Sequence, residues 1–116
     1  MEINEIEVNL AALPDLIEDK ANEAEEARNL WKVSKQKAEN RACEIYLACK
    51  AEDPELTQGE LKAKAVTGSN LLELDAICFE SKYNKLKIEL TGLRDKLDTT
   101  LEASYNWRCT VKKFNG

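Results

Sequence analysis

The chain contains no histidine, and its 116 residues include only two prolines and four glycines. Without histidine the commonest general base is missing, along with the usual serine and cysteine triads. Catalysis would have to rest on carboxylates, lysines or tyrosines alone, and no glycine-rich phosphate loop is present to help them. Cys43, Cys49, Cys78 and Cys109 show no C-x-x-C spacing and have no histidine to complete a metal set. They read as reduced thiols acting as small buried hydrophobes, with no metal and no cofactor expected. Apolar runs are short and no basic start precedes an apolar core, so neither a membrane span nor a signal peptide is expected. A cytoplasmic placement follows. With 43 % apolar residues and so little Gly and Pro, a disordered or low-complexity chain is excluded.

What the chain does have is helical periodicity. From Asn70 to Val111 no proline interrupts, and Leu72, Phe79, Leu86, Leu93, Thr100 and Trp107 recur every seven residues. Between them Ala76, Tyr83, Leu90, Leu97, Ser104 and Val111 form a second stripe. Alternating steps of four and three are the seam of a helix made to pack along its length. At 1.5 Å per residue that helix spans roughly 60 Å, more than a globule of this mass can enclose. A single domain, 1–116, with an extended partner is therefore expected, and self-association is the natural way to bury enough surface.

Upstream, Ile3, Ile6, Leu10 and Leu13 predict a short amphipathic helix capped by Asn4 and Glu7. Pro14 then suits the first turn of a new helix. Across residues 15–51, Ile17, Ala24, Trp31, Ala38 and Ile45 repeat at seven, flanked by Ala21, Ala27, Ala42 and Ala48, a small-residue stripe that admits another helix closely. Asp53 and Pro54 end it. Thr57 and Glu60 then form a capping box, with Leu56 and Leu61 as its hydrophobic staple. The short helix they open is expected to stop near Gly68, and Asn70 to cap the long terminal helix. The resulting fold is all-α: an elongated, coiled-coil-like antiparallel hairpin of two long helices, a short capped helix between them and a short N-terminal helix, assembled as an oligomer. Its core and oligomer seam would comprise Leu72, Phe79, Tyr83, Leu86, Leu90, Leu93, Leu97 and Trp107.

Net charge is −5, yet the charges are sorted. Residues 1–27 hold nine acids against Lys20, whereas residues 28–50 carry Arg28, Lys32, Lys35, Lys37, Arg41 and Lys50 against Glu39 and Glu44. Beyond Ser104, Tyr105, Trp107, Arg108, Lys112, Lys113 and Phe114 interleave aromatics with cations. That mixture suits single-stranded nucleic acid, because aromatics stack on unpaired bases and cations hold phosphates. Lys37 and Arg41 share one face of the first long helix and Arg28, Lys32 and Lys35 another, and Lys62 and Lys64 on the short helix could sit beside them at the bend of the hairpin. The blander reading is a set of solvated helix faces, with Glu89, Arg94, Asp95, Lys96 and Asp98 the outer face of the last helix. The acidic first quarter could occupy a basic cleft on another protein or pair with the basic segment of a neighbouring subunit.

This order of segments resembles the small bacteriophage recombination mediators of the UvsY type. The likeness lies in an acidic amphipathic start, a long helix with a tryptophan in Asn29-Leu30-Trp31-Lys32 and a basic second half. After the turn come Glu60-Leu61-Lys62-Ala63-Lys64-Ala65-Val66 and a heptad helix opening Leu71-Leu72-Glu73-Leu74-Asp75. The resemblance implies a non-enzymatic, ring-like homo-oligomer that binds single-stranded DNA, displaces a single-strand binding protein and loads a recombinase. It also implies DNA contacts on the approach to the turn, where this chain keeps Arg41 and Lys50 but inserts Glu44. Nucleic-acid contacts are accordingly expected at Arg41, Lys50, Lys62, Lys64, Tyr105, Arg108, Lys112 and Lys113. Two other readings are a helical protein-interaction module or inhibitor working through its acidic face, and a structural coiled-coil adaptor.

Overall fold

The computed structural model describes the backbone of residues 1–115 and the side chains of residues 1–112. Within that range the protein is an all-α helical hairpin of two helices, α1 (Ile3–Glu52) and α2 (Gln58–Asn115), joined by residues 53–57. It divides into two compact units, one of Met1–Ala24 with Lys85–Gly116 and the other of Glu25–Asn84.

The turn is built as its residues dictate. Asp53 accepts a hydrogen bond from the Glu55 N–H on its side chain, at 3.2 Å, and from the Leu56 N–H on its carbonyl, at 3.2 Å, with Pro54 supplying the fixed φ between them. The capping box is present in full. The Glu60 N–H donates to Thr57 Oγ1 at 3.2 Å, and the Thr57 N–H reaches back to Glu60 Oε1 at 3.4 Å.

In the unit of residues 25–84, α1 and α2 pack through Ala27, Ala38, Leu61, Ala65, Ser69 and Ala76, all buried. Trp31 and Tyr83 are stacked across the pair, ring centroids 5.9 Å apart and planes 22° from parallel. Such a contact contributes about 0.5–1.5 kcal/mol beyond the area it buries. Gly68 does not end a helix here. No described residue has positive φ, and α2 runs through positions 68 and 70 unbroken, so Asn70 caps nothing. The glycine serves close approach instead, because a Cβ at this position would overlap Ile45 Cδ1.

The other unit pairs the start of α1 with the second half of α2 through Ile6, Leu13, Leu86 and Leu90. Pro14 lies inside α1 and starts no new helix, and Asn4 lies within the first turn, too late to cap it. An interior proline costs about 3 kcal/mol, and the buried Leu13 with half-buried Leu10 and Ile17 hold the helix through it. Polar groups also sit among the apolar positions. Asn9 Nδ2 donates to Thr100 Oγ1 at 3.2 Å, both residues buried, and the Thr100 hydroxyl donates to the Lys96 carbonyl at 2.8 Å. Lys20 Nζ meets Glu89 Oε2 at 3.0 Å, which takes Glu89 off the solvated outer face expected for it.

The heptad stripes of α2 turn inward as their spacing predicts from Leu72 to Ser104, each position buried or half-buried. Trp107 departs from its stripe, at 45 % exposed. With Asn9 facing Thr100 and Lys20 facing Glu89, each step along α2 matches a step back along α1. Trp107 thus falls level with Glu2, just before α1 begins at Ile3.

Candidate functional site

Of the expected nucleic-acid residues, those whose side chains are described are all at the surface, but they do not converge. Arg41 and Lys50 are nine positions apart on α1, which at 100° per residue sets them on opposite sides of the helix. Lys62 and Lys64, two positions apart, diverge almost as widely. Arg41 is engaged locally, its guanidinium 3.4 Å from the Glu44 carboxylate one turn on. Lys50, Lys62 and Lys64 are exposed and make no ion pair among the described residues. Lys50 occupies the last turn of α1, where the helix dipole favours a cation.

Tyr105, Arg108 and Lys112 belong to the other unit, on the last turns of α2, and are exposed. The side chains of Lys113 and Phe114 lie outside the described residues. Three of the four cysteines, Cys43, Cys78 and Cys109, are exposed, so they are not the buried hydrophobes expected of them; only Cys49 is half-buried. Their positions on α1 and α2 fall off the seam, which alanine and leucine already fill.

Two features escaped sequence reading. One is a stripe on the outer side of α2 in the unit of residues 25–84, where Leu71 is 78 % exposed, Leu74 48 % and Ile77 55 %. They follow at steps of three, with Leu71 and Leu74 on the side of the helix turned from α1 and Ile77 at its edge, where it borders a depression shared with α1. Glu73, Asp75 and Glu80 accompany them, and no base occurs between Lys64 and Lys82. The second is a groove of about 460 Å³ beside the bend, lined by Cys43, Tyr46, Leu47, Lys62 and Val66 over a floor of Ala42 and Ala65. A further depression of about 300 Å³, in the same unit, is lined by Trp31 and Ile77 with Lys35, Glu39, Glu73 and Glu80. The heptad reading could not find either feature, because it follows only the residues that repeat toward the partner helix.

Among the described residues no group of three or more cysteines or carboxylates is placed to hold a metal ion, and no helix is long and apolar enough to cross a membrane. Lys20 is held above its ordinary value chiefly by its hydrogen bond to Glu89, with the charges of Glu23 and Glu89 acting in the same direction against partial desolvation. That cation lies within the helix pair of its unit. Comparison with protein-family models, with curated proteins and with solved structures finds no match.

Proposed function

We propose that this chain is a non-enzymatic helical-hairpin protein that assembles with copies of itself and works as a binding scaffold in the cytoplasm. The observation that carries this is the exposed stripe Leu71, Leu74 and Ile77. Ten apolar residues are buried among those described, five of them alanine, while fourteen large apolar side chains stay exposed. A core so rich in alanine buries little area, and contiguous exposed aliphatics mark an interface. Charge favours a second copy as the occupant. On its own helix the stripe is flanked by Glu73, Asp75 and Glu80, whereas residues 28–50 of α1 carry six bases against two acids, so α1 of one copy complements α2 of the next.

A more specific form of this reading is the recombination accessory suggested by the resemblance, in which the assembly holds single-stranded DNA and loads a recombinase. The unpaired, exposed Lys50, Lys62 and Lys64 around the bend favour it. Scattered as they are, they would work by repetition, since an assembly multiplies weak sites through effective concentration. Light-scattering mass, measured alone and with a single-stranded oligonucleotide at low and raised salt, tests both forms. A multiple of 13.1 kDa supports assembly. Uptake of the oligonucleotide that salt reverses supports the DNA form, because phosphate contacts release counterions. A multimer that ignores the oligonucleotide retains the scaffold and removes the DNA form, and a monomer under all conditions removes both.

A further inference from the structure

The groove beside the bend, on a surface distinct from the outer stripe of α2, has the chemistry of a peptide site. Its depth has a simple origin. Ala42 and Ala65 put small side chains at facing positions of the two helices, while Leu47 and Val66, each more than half exposed, stand up as walls. The surface turned into it is apolar, with Lys62 contributing its aliphatic stem and keeping its ammonium at the rim, as long cationic side chains do. Lys50 follows Tyr46 by four positions and Leu47 by three, one turn along the same side of α1. Neither lysine is ion-paired among the described residues, and no carboxylate lines the groove. An apolar trough with a rim of free cations is complementary to an apolar segment that carries acids.

We infer that this groove binds an acidic amphipathic helix from a partner protein, its aliphatic side chains between Leu47 and Val66 and its carboxylates at Lys62 and Lys50. The inference rests on the scaffold reading for its context and shares the end of the basic segment of α1 with it, but includes none of the stripe Leu71, Leu74 and Ile77. Leucines at i, i+3, i+4 and i+7 would seat along the trough, the usual pattern of a helix laid in a groove.

The test uses the full chain and two fluorescently labelled synthetic peptides that share one leucine stripe at that spacing, one with glutamates on its polar face and the other with lysines. Anisotropy titrations should show the glutamate peptide binding at least about tenfold more tightly than the lysine peptide, a difference of about 1.4 kcal/mol. Lys62→Glu should reverse that preference, and Leu47→Ser, at an exposed position that leaves the fold intact, should weaken both peptides. Equal binding of the two peptides, no binding of the glutamate peptide, or indifference to both substitutions overturns the inference. Leu74→Lys separates the two claims: if peptide binding follows this substitution and ignores Lys62→Glu, the groove is wrong while the outer stripe stands. Should Lys62→Glu dissolve a multimer that excludes the glutamate peptide, the groove belongs to a second copy and the inference fails.

Discussion

Thr100 shows how a single side chain can set a register. Its hydroxyl accepts from Asn9 and donates to the Lys96 carbonyl, so it is satisfied on both counts while fully buried. Sliding either helix by one heptad would bury the Asn9 amide against apolar side chains, at roughly 1–3 kcal/mol for the lost partner. Thr100→Val is expected to cost that much in urea unfolding, because it leaves the amide unpaired. Asn9→Leu combined with Thr100→Val should recover most of the loss, since removing both partners leaves nothing orphaned. Lys20 makes a separate case. Its ammonium is raised above the ordinary 10.5 chiefly by the Glu89 hydrogen bond. A folded value above the unfolded one means that the contribution is present in full below about pH 10.5 and is lost as pH rises through the folded value. Unfolding midpoints followed from neutral to strongly alkaline pH should therefore fall less steeply in Lys20→Met than in the wild type.

At the scale of the helix, the sequence pattern was informative wherever packing and local propensity agree. The repeat from Leu72 to Ser104 turns inward, and Thr57 with Glu60 closes the capping box expected of it. Pro14 and Gly68 were misleading because both are local breakers set within strong inter-helix packing, and tertiary contacts decide such conflicts. Asn9, Lys20 and Ser69 were not read as seam positions because no apolar repeat marked them, whereas Thr100 and Ser104 were, because apolar residues seven positions to either side fix the stripe. The misfits predict their own remedies. Gly92 has nothing within 4 Å of a built Cβ, so Gly92→Ala should raise stability by about 1 kcal/mol. Pro14→Ala should gain about 1–3 kcal/mol in thermal or denaturant unfolding, the helix-interior penalty less the entropy that proline removes from the unfolded chain. No gain from Pro14→Ala would mean that the first turns of α1 do not form the continuous helix described.

At the scale of the whole molecule, the proposed function rests on helix faces. Which residues would be exposed cations was legible in composition and charge order, but which side of each helix they occupy was not. Arg41 and Lys50 look like one basic segment in the sequence and point apart once wound at 100° per residue. The groove was illegible for a different reason, since its depth comes from Ala42 and Ala65 meeting across two helices that are distant in sequence. The outer stripe of α2 was overlooked because the stronger inward repeat shares the same residues' neighbourhood. It is nevertheless the surface on which the functional account depends.

The most direct test is therefore light-scattering mass over a concentration series for the wild type and for the Leu71→Lys, Leu74→Lys double variant, with helicity followed by circular dichroism. Both positions are solvent-exposed, so helicity should be retained. The account predicts a wild-type mass that is a multiple of 13.1 kDa and a variant that falls toward 13.1 kDa at the same helix content. A wild type that stays at 13.1 kDa throughout, or a multimer that the double variant leaves unchanged, would contradict it.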